Sequence, residues 1–296
     1  MALVRISAYA KVNLRLHILG KRADGYHELR TIFQTIALHD ILELSLTRSP
    51  GIQLTTTDPA LPADRSNLVW RALDALRREL RLRQGIRALL VKRIPVARGL
   101  GGGSSDAAAA LMGLLRLTRR RLPAARLVEI AAGLGADVPF FLFGGRALGV
   151  GRGDEVYPLP DARRRTIVVV SPREVGVSTK DAYRWASRGL TKQRTPRKLW
   201  SFRALCWSPQ GGALSNDFEA AVFRRHPRLR SIKRALLRRG AAEATLAGSG
   251  SAVFGVFPSP AQARRAAKGF PQDQVFVTET LSREDYRRAH RGWGGV

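Results

Sequence analysis

A glycine-rich loop directly before an apolar helix has the clearest chemistry in this 296-residue sequence. Residues 95–115 read PVARGLGGGSSDAAAALMGLL. A helix N-terminus offers free N–H groups and a partial positive charge, and glycines let a phosphate approach the backbone closely. The loop therefore predicts phosphate binding at the start of a helix over 105–118. A turn that serves only tight packing is the alternative.

Spacing distinguishes this loop from two common nucleotide-binding motifs. A Walker A loop ends in Gly-Lys-Ser or Gly-Lys-Thr, but the sequence has no lysine between Lys92 and Lys180. A dinucleotide fingerprint that began at Gly99 would need a glycine where Ser104 stands. The sequence also argues against a zinc site, because its histidines form no His-x-x-x-His pair and it has one cysteine. It argues against a serine hydrolase as well, because AGSGSA (247–252) lacks a Gly-x-Ser-x-Gly pattern.

The composition gives a strongly basic chain. Lysine and arginine number 51 against 23 aspartates and glutamates, for a net charge of +28, which attracts nucleic acid, anionic lipid and acidic metabolites alike. The arginines lie in short clusters along the whole chain, without interleaved aromatic residues. This pattern favours a solvated basic surface over a nucleic-acid groove. We expect non-specific RNA binding at low salt and no specific nucleic-acid partner.

The cysteine content and the N-terminus predict a soluble, cytoplasmic protein. Cys206 is the single cysteine, so no intrachain disulfide can form. Basic residues interrupt MALVRISAYAKVNLRLH (1–17) where a signal peptide needs an apolar run. No apolar stretch approaches the length of a membrane span, so we expect no membrane partner.

Hydrophobic periodicity predicts an α+β fold with two lobes. Apolar residues occupy the even positions from Val4 to Ile18, which predicts a half-buried strand with Lys11 and Asn13 on one face. ILELSLT (41–47) and GIQLTTT (51–57) predict a hairpin, and TIVVVSP (166–172) predicts a buried strand that opens a second lobe. Helical spacing is found over 68–80, 124–134, Thr179–Ser187, Asp217–Arg225, Leu229–Arg239 and 259–270. We therefore expect domains at 1–158 and 159–296.

Five segments in order along the chain resemble the GHMP kinases. They are AKVNLRLHILGKRADGYHELRTIFQTIALHD (10–40), the glycine loop in 95–115, LGADVPFFLFGG (134–145), NDFE (216–219) and TLAGSGSAVFGVF (245–257). The resemblance implies a two-lobed kinase with an N-terminal lobe like domain 2 of ribosomal protein S5 and a C-terminal α/β sandwich. It also implies ATP and Mg²⁺ as cofactors. The first segment resembles the branch that serves the non-mevalonate (MEP) isoprenoid pathway, whose substrate is a small molecule with a cytidine diphosphate group.

The resemblance assigns the donor side and the catalytic pair. Asp137 would take the proton from the substrate hydroxyl, and the ammonium of Lys11 would keep Asp137 ionised. A helix cap for Asp137 and a solvated strand position for Lys11 are the alternatives. Ser105 would reach Mg²⁺, and Asp106 is either a metal ligand or an acid favoured by the helix dipole. The residues implied for ATP are Pro95, Gly99, Leu100, Gly101, Gly102, Gly103, Ser104 and Ser105.

The resemblance also assigns the acceptor side. Tyr26 would stack on the cytosine, His27 would hydrogen-bond its edge, and Tyr183 would stack on the opposite face. Asn13 would contact the rest of the substrate, and Thr179 would either contact the substrate or cap its helix. Two alternatives stay open at this point: another GHMP kinase that acts on a different small alcohol, and a basic RNA-binding protein.

Overall fold

The computed structural model describes residues 2–187 and 213–290. The strands are β1 (Leu3–Lys21), β2 (His27–Thr47), β3 (Ile52–Thr56), β4 (Gly85–Val91), β5 (Arg146–Gly151), β6 (Glu155–Pro158), β7 (Thr166–Ser171), β8 (Ser215–Asn216), β9 (Glu243–Leu246), β10 (Val253–Phe257) and β11 (Gln274–Glu279). The helices are α1 (Leu68–Glu79), α2 (Gly102–Thr118), α3 (Ala124–Leu134), α4 (Phe140–Phe143), α5 (Thr179–Ser187), α6 (Glu219–Arg225), α7 (Pro227–Arg238), α8 (Pro260–Ala267) and α9 (Arg283–Ala289). The predicted α+β fold with two lobes is confirmed. Within the described ranges no helix combines the length and the apolar character that a membrane crossing needs.

A long antiparallel pair, β1 and β2, forms the centre of the first sheet. The strand order is β3-β4-β2-β1-β8, and β5 pairs with the opposite half of β2 and with β6. The even-numbered residues of β1 from Val4 to Ile18 are buried, as the alternating pattern predicted. In the middle of the strand the odd-numbered Lys11 and Asn13 are buried as well, because protein covers both faces there.

Helix α2 packs directly against this sheet and carries the phosphate loop at its start. Small residues allow the close approach: a Cβ at Gly113 would lie 2.7 Å from Leu44 Cδ1. The alanines 107–110 are completely buried between the sheet and the surrounding helices. Because α2 is enclosed along most of its length, its first turn is held rigidly relative to β1 and β2.

The second sheet is antiparallel, in the order β11-β7-β10-β9. An apolar cluster that includes Val12 and Ile36 from the first sheet and Val169 and Phe254 from the second joins the two sheets. The chain then returns to the first lobe, where the hydroxyl of Tyr286 on α9 donates to the carbonyl of Phe141. Residues from both lobes therefore meet between the sheets.

The structure contradicts the expected hairpin and leaves the expected domain boundary a prediction. The predicted hairpin between 41–47 and 51–57 is wrong: β3 pairs in parallel with β4, and β4 lies between β3 and β2. Alternation identifies a strand with one buried face but does not choose its partner. The division into domains 1–158 and 159–296 stays a prediction, since β8 joins the first sheet and α9 packs against the first lobe.

Candidate active site

The first backbone amides of α2 have no hydrogen-bond partner within the helix. Gly101 precedes the helix with φ of +73°, and no side chain caps it. The first intrahelical hydrogen bond runs from the N–H of Ser105 to the carbonyl of Gly101, at 2.9 Å. The N–H groups of Gly102, Gly103 and Ser104 precede that bond and so lack a helical partner. Amides in this arrangement form a binding site for phosphate.

The phosphate loop packs backbone to backbone against a second glycine-rich turn, residues 247–251 between β9 and β10. Gly99 has φ of +79°, and a Cβ there would lie 1.9 Å from the carbonyl oxygen of Ala247. A Cβ on Gly248 would lie 2.9 Å from the carbonyl oxygen of Gly99. Side chains at either glycine would separate the loops, so both positions require glycine.

Two polar side chains without an assigned role in the sequence analysis hold these loops. Asn216 Nδ2 donates to the carbonyls of Leu246, at 2.9 Å, and Gly248, at 2.7 Å. Arg98 Nη1 donates to Ser251 Oγ at 2.7 Å, and its Nη2 donates to the carbonyl of Arg173 at 3.1 Å. The NDFE segment was a sequence signal for Asn216. Arg98 had none, because its partners lie in the other lobe.

Lys11 and Asp137 form an ion pair beside the phosphate loop. Lys11 Nζ lies 3.3 Å from Asp137 Oδ2 and donates to Asn13 Oδ1 at 2.8 Å. Asn13 Nδ2 donates in turn to Thr31 Oγ1 at 2.7 Å, which fixes the orientation of its amide. The backbone N–H of Lys11 donates to the carbonyl of Leu100 at 2.9 Å, so β1 is bonded to the loop itself. Lys11 is buried, whereas the Asp137 side chain is 33% exposed and accessible to a substrate.

A second ion cluster lies beneath the loop. Lys92 Nζ donates to Asp40 Oδ2 at 2.5 Å and to Asp106 Oδ2 at 2.8 Å. Asp40 Oδ1 also accepts the backbone N–H groups of Arg93 and Ile94. Burial would lower the pKa of Lys92, but its two carboxylate neighbours outweigh burial and raise it. This cluster therefore ties β2 to both ends of the phosphate loop. Asp106, in the first turns of α2, takes part in it by accepting a hydrogen bond from Lys92.

One cleft of about 1210 Å³ brings the predicted residues together. Its walls include Lys11, Asn13, Tyr26, His27, Pro95, Gly99, Leu100, Gly101, Gly102, Gly103, Ser104, Asp137, Thr179 and Tyr183. Ser105 is the exception. It is 1% exposed, and its hydroxyl has no hydrogen-bond partner among the described residues. Ser104 is the serine of this loop that borders the cleft.

The donor set suits a magnesium ion that is held mainly by nucleotide phosphates. Within residues 2–187 and 213–290, no group of three histidine, cysteine, aspartate or glutamate side chains could hold a metal. Mg²⁺ in kinases uses one or two protein oxygens, the substrate phosphates and water. Ser104 and Asp137 line the cleft, and their side chains carry oxygens of the kind that Mg²⁺ binds.

Aromatic residues from both lobes form the other end of the cleft. The rings of His27 and Tyr183 stack with centroids 4.8 Å apart and planes 18° apart. Burial and the nearby charge of Lys21 lower the pKa of His27. Burial and the nearby carboxylate of Asp137 raise the pKa of Tyr183. Both rings are therefore neutral near pH 7. Tyr26 lies outside this stack on an exposed turn, and Thr179 Oγ1 lies 3.1 Å from Ser249 Oγ.

Comparison with known proteins identifies the class. The family model for the GHMP kinases N terminal domain matches residues 67–145, and the model for GHMP kinases C terminal matches residues 199–274. A homoserine kinase structure from Cytophaga hutchinsonii has the same fold, with a TM-score of 0.70, 22% identity and coverage of 95% of each chain. The chain belongs to the GHMP kinases, which are ATP-dependent phosphotransferases.

Within the family, two similar relatives carry the name 4-diphosphocytidyl-2-C-methyl-D-erythritol kinase. The relative from Solibacter usitatus is 46% identical over 97% of this chain and 91% of its own length. The relative from Moorella thermoacetica is 42% identical over 95% of this chain and 100% of its own length. A crystal structure of 4-(cytidine 5'-diphospho)-2C-methyl-D-erythritol kinase gives a TM-score of 0.79 at 33% identity, covering 94% of this chain and 99% of that one.

Proposed function

We propose that this kinase transfers the γ-phosphoryl group of ATP to the 2-hydroxyl of 4-diphosphocytidyl-2-C-methyl-D-erythritol, giving the 2-phosphate and ADP. The names of the relatives supply the substrate and its place in the non-mevalonate (MEP) isoprenoid pathway. The observation that carries the proposal is the 3.3 Å contact between Lys11 and Asp137, in the same cleft as the start of α2.

In the proposed reaction, Asp137 accepts the proton of the substrate hydroxyl. The hydroxyl oxygen forms a bond to the γ-phosphorus, the bond from that phosphorus to the β,γ-bridging oxygen breaks, and ADP leaves. Little covalent work falls to the protein, so positioning and charge stabilisation supply most of the rate. The ammonium of Lys11 stabilises the ionised Asp137 and the developing negative charge on the acceptor oxygen.

The donor loop binds the nucleotide phosphates. The amides at the start of α2 donate to the β- and γ-phosphates, where the helix dipole also favours negative charge. A bound Mg²⁺ would neutralise phosphate charge, and Ser104 would contribute a protein oxygen to it, while Asp137 acts as the base. The hydroxyl of Ser105 is buried away from the cleft, so we assign no metal contact to it.

The acceptor residues bind the cytidine diphosphate end. His27 hydrogen-bonds the edge of the cytosine as a neutral ring, and Tyr26 and Tyr183 supply aromatic faces. Asn13 and Thr179 border the path from that end to Asp137. In the stack seen here the rings of His27 and Tyr183 are in contact, so the base must bind beside this pair or separate it.

A coupled ADP-release assay tests the proposal. With Mg-ATP and 4-diphosphocytidyl-2-C-methyl-D-erythritol, we expect ADP production that Asp137→Asn abolishes while ATP binding persists. CDP should inhibit competitively, because only a cytosine site responds to it. Turnover on a different alcohol, with no response to CDP, would replace the substrate assignment and leave the family assignment intact.

The same proposal covers location and partners. Its substrates are small charged molecules, and we place the enzyme in the cytoplasm. The net charge of +28 makes salt-sensitive, non-specific RNA binding an accompanying property of the surface. Such binding should be indifferent to both ATP and Asp137→Asn.

A further inference from the structure

Tyr26 occupies a turn that fixes its backbone more firmly than its ring. The N–H of Arg22 donates to the carbonyl of Tyr26 at 2.8 Å, and the N–H of Tyr26 donates to Asp24 Oδ1 at 3.1 Å. The side chain of Tyr26 is nevertheless 56% exposed. An exposed ring that samples several rotamers loses that freedom when a base stacks on it, which weakens binding.

Arg152 reaches this ring from a different hairpin. Its guanidinium carbon lies 5.0 Å from the centroid of the Tyr26 ring, within the range of a cation–π contact. Arg152 lies in the turn between β5 and β6, between Gly151 and Gly153, whose φ values are +66° and +95°. The glycines allow the tight turn that presents the arginine.

Asp154 orients the guanidinium. Its Oδ2 accepts from Arg152 Nε at 3.0 Å and from Nη2 at 2.5 Å, so two donors are fixed on one carboxylate. The guanidinium plane is therefore constrained while it contacts the ring of Tyr26. Tyr26, Arg152 and Gly153 all border the cleft described above.

We propose that Arg152 is a positioning residue for the cytosine end of the cleft: it holds the Tyr26 ring in the orientation in which that ring stacks on the base. This inference rests on the proposed function, because it assumes a cytosine ligand. Arg152 acts through Tyr26 and not by a contact with the diphosphate. Its removal should therefore weaken the binding of cytidine and CDP equally.

A double-mutant cycle tests this coupling by calorimetric titration of cytidine and CDP. We expect Arg152→Ala to weaken both ligands by about three- to fivefold, the range of an exposed cation–π contact, and to leave ATP affinity unchanged. Tyr26→Ala should weaken them more, and the double variant should match Tyr26→Ala alone. Arg152→Lys, which keeps the charge but loses the planar group, should lie between Arg152→Ala and the unaltered protein.

Arg126→Ala is the matched control. Arg126 is also an ion-paired arginine, with Glu79 and Glu129, and lies on α3 outside the cleft lining, so its removal should leave both affinities unchanged. Two results would overturn the role of Arg152 while leaving the base site intact. One is that the effects of Arg152→Ala and Tyr26→Ala are additive, and the other is that Arg152→Ala weakens CDP binding but not cytidine binding. Unchanged cytidine and CDP binding in Tyr26→Ala would overturn the base site together with the inference.

Discussion

The ammonium of Lys11, in the middle of the longest antiparallel strand pair, contacts the carboxylate of Asp137, in the loop between α3 and α4, at 3.3 Å. The same lysine bonds Asn13 through its side chain and Leu100 through its backbone. One residue thus connects the proposed base, the acceptor side and the phosphate loop. The donor and acceptor halves of the cleft are fixed relative to each other through β1.

Replacing Lys11 should reduce turnover more than nucleotide binding. We predict that Lys11→Met lowers kcat by about 10²–10³-fold, the usual loss when one preorganised charge-stabilising group is removed. Steady-state assays with titration of ATP binding measure the two effects. Lys268→Met removes an exposed lysine at the end of α8 and serves as the control. Near-normal kcat in Lys11→Met would contradict the role assigned to the ammonium.

Gly99 should tolerate no side chain. Gly99→Ala places a Cβ 1.9 Å from the carbonyl oxygen of Ala247 at a φ of +79°, and we expect a loss of about 2 kcal/mol or more in the free energy of unfolding. Gly133→Ala is the matched change, because Gly133 lies in α3 with nothing within 4 Å of its Cβ position. That variant should gain up to about 1 kcal/mol. Urea denaturation compares them, and equal stabilities would refute the packing of the two glycine turns.

Arg98 should matter for ATP more than for the acceptor. It joins the phosphate loop to Ser251 and to the carbonyl of Arg173. Because hydrogen bonds from a charged group contribute more than neutral ones, we predict that Arg98→Ala raises the KM for ATP about tenfold. The KM of Arg98→Ala for the acceptor should stay within about twofold of the KM of the unaltered protein. Ser251→Ala, which removes one of the two contacts, should give a smaller rise, and an unchanged KM for ATP in both variants would argue against this connection.

Local pattern in the sequence was enough to place some of the site. Alternation along β1 put Lys11 and Asn13 on one face, and they are hydrogen-bonded at 2.8 Å. The glycine run predicted a loop before a helix over 105–118, but that helix begins at Gly102, so Gly102 and Gly103 belong to its first turn. Asp137 came from the family resemblance, because no local pattern relates a loop carboxylate to a distant strand.

Other features depend on tertiary approach and left no local signal. The contact of Gly99 with Ala247 needs the two lobes already packed together. Lys92, in VKRIP after β4, has the sequence context of a solvated strand end, yet it is enclosed by Asp40 and Asp106. The stack of His27 on Tyr183 joins β2 to α5 across the cleft. The basic segment RGLTKQRTPRKLW (188–200), whose composition predicts a surface loop, lies outside the residues that the structure describes.

The cluster beneath the phosphate loop predicts a pH-dependent stability. Asp106 Oδ2 accepts from Lys92, but its Oδ1 has no hydrogen-bond partner among the residues that the structure describes. Burial therefore raises the pKa of Asp106 above its ordinary value of 3.8, although Lys92 opposes the shift. Between pH 3.8 and the raised pKa, the folded chain binds the proton of Asp106 more tightly than the unfolded chain does. The contribution of Asp106 to stability is thus fully present below pH 3.8 and is lost as the pH rises through its raised pKa.

Asp106→Asn should remove this slope. Its amide cannot ionise, so the stability of the unaltered protein relative to the variant should fall between pH 5 and pH 8, by at most about 1.4 kcal/mol per pH unit. Urea denaturation at several pH values measures the difference. Lys92→Met provides the complementary test: it leaves the buried Asp40 carboxylate without its cation and should cost about 3–5 kcal/mol. Because Lys92 opposes the raised pKa of Asp106, its removal should raise that pKa further, so the stability of Lys92→Met relative to Asp106→Asn should still fall between pH 5 and pH 8. A relative stability that does not change with pH would show that Asp106 does not titrate in this range.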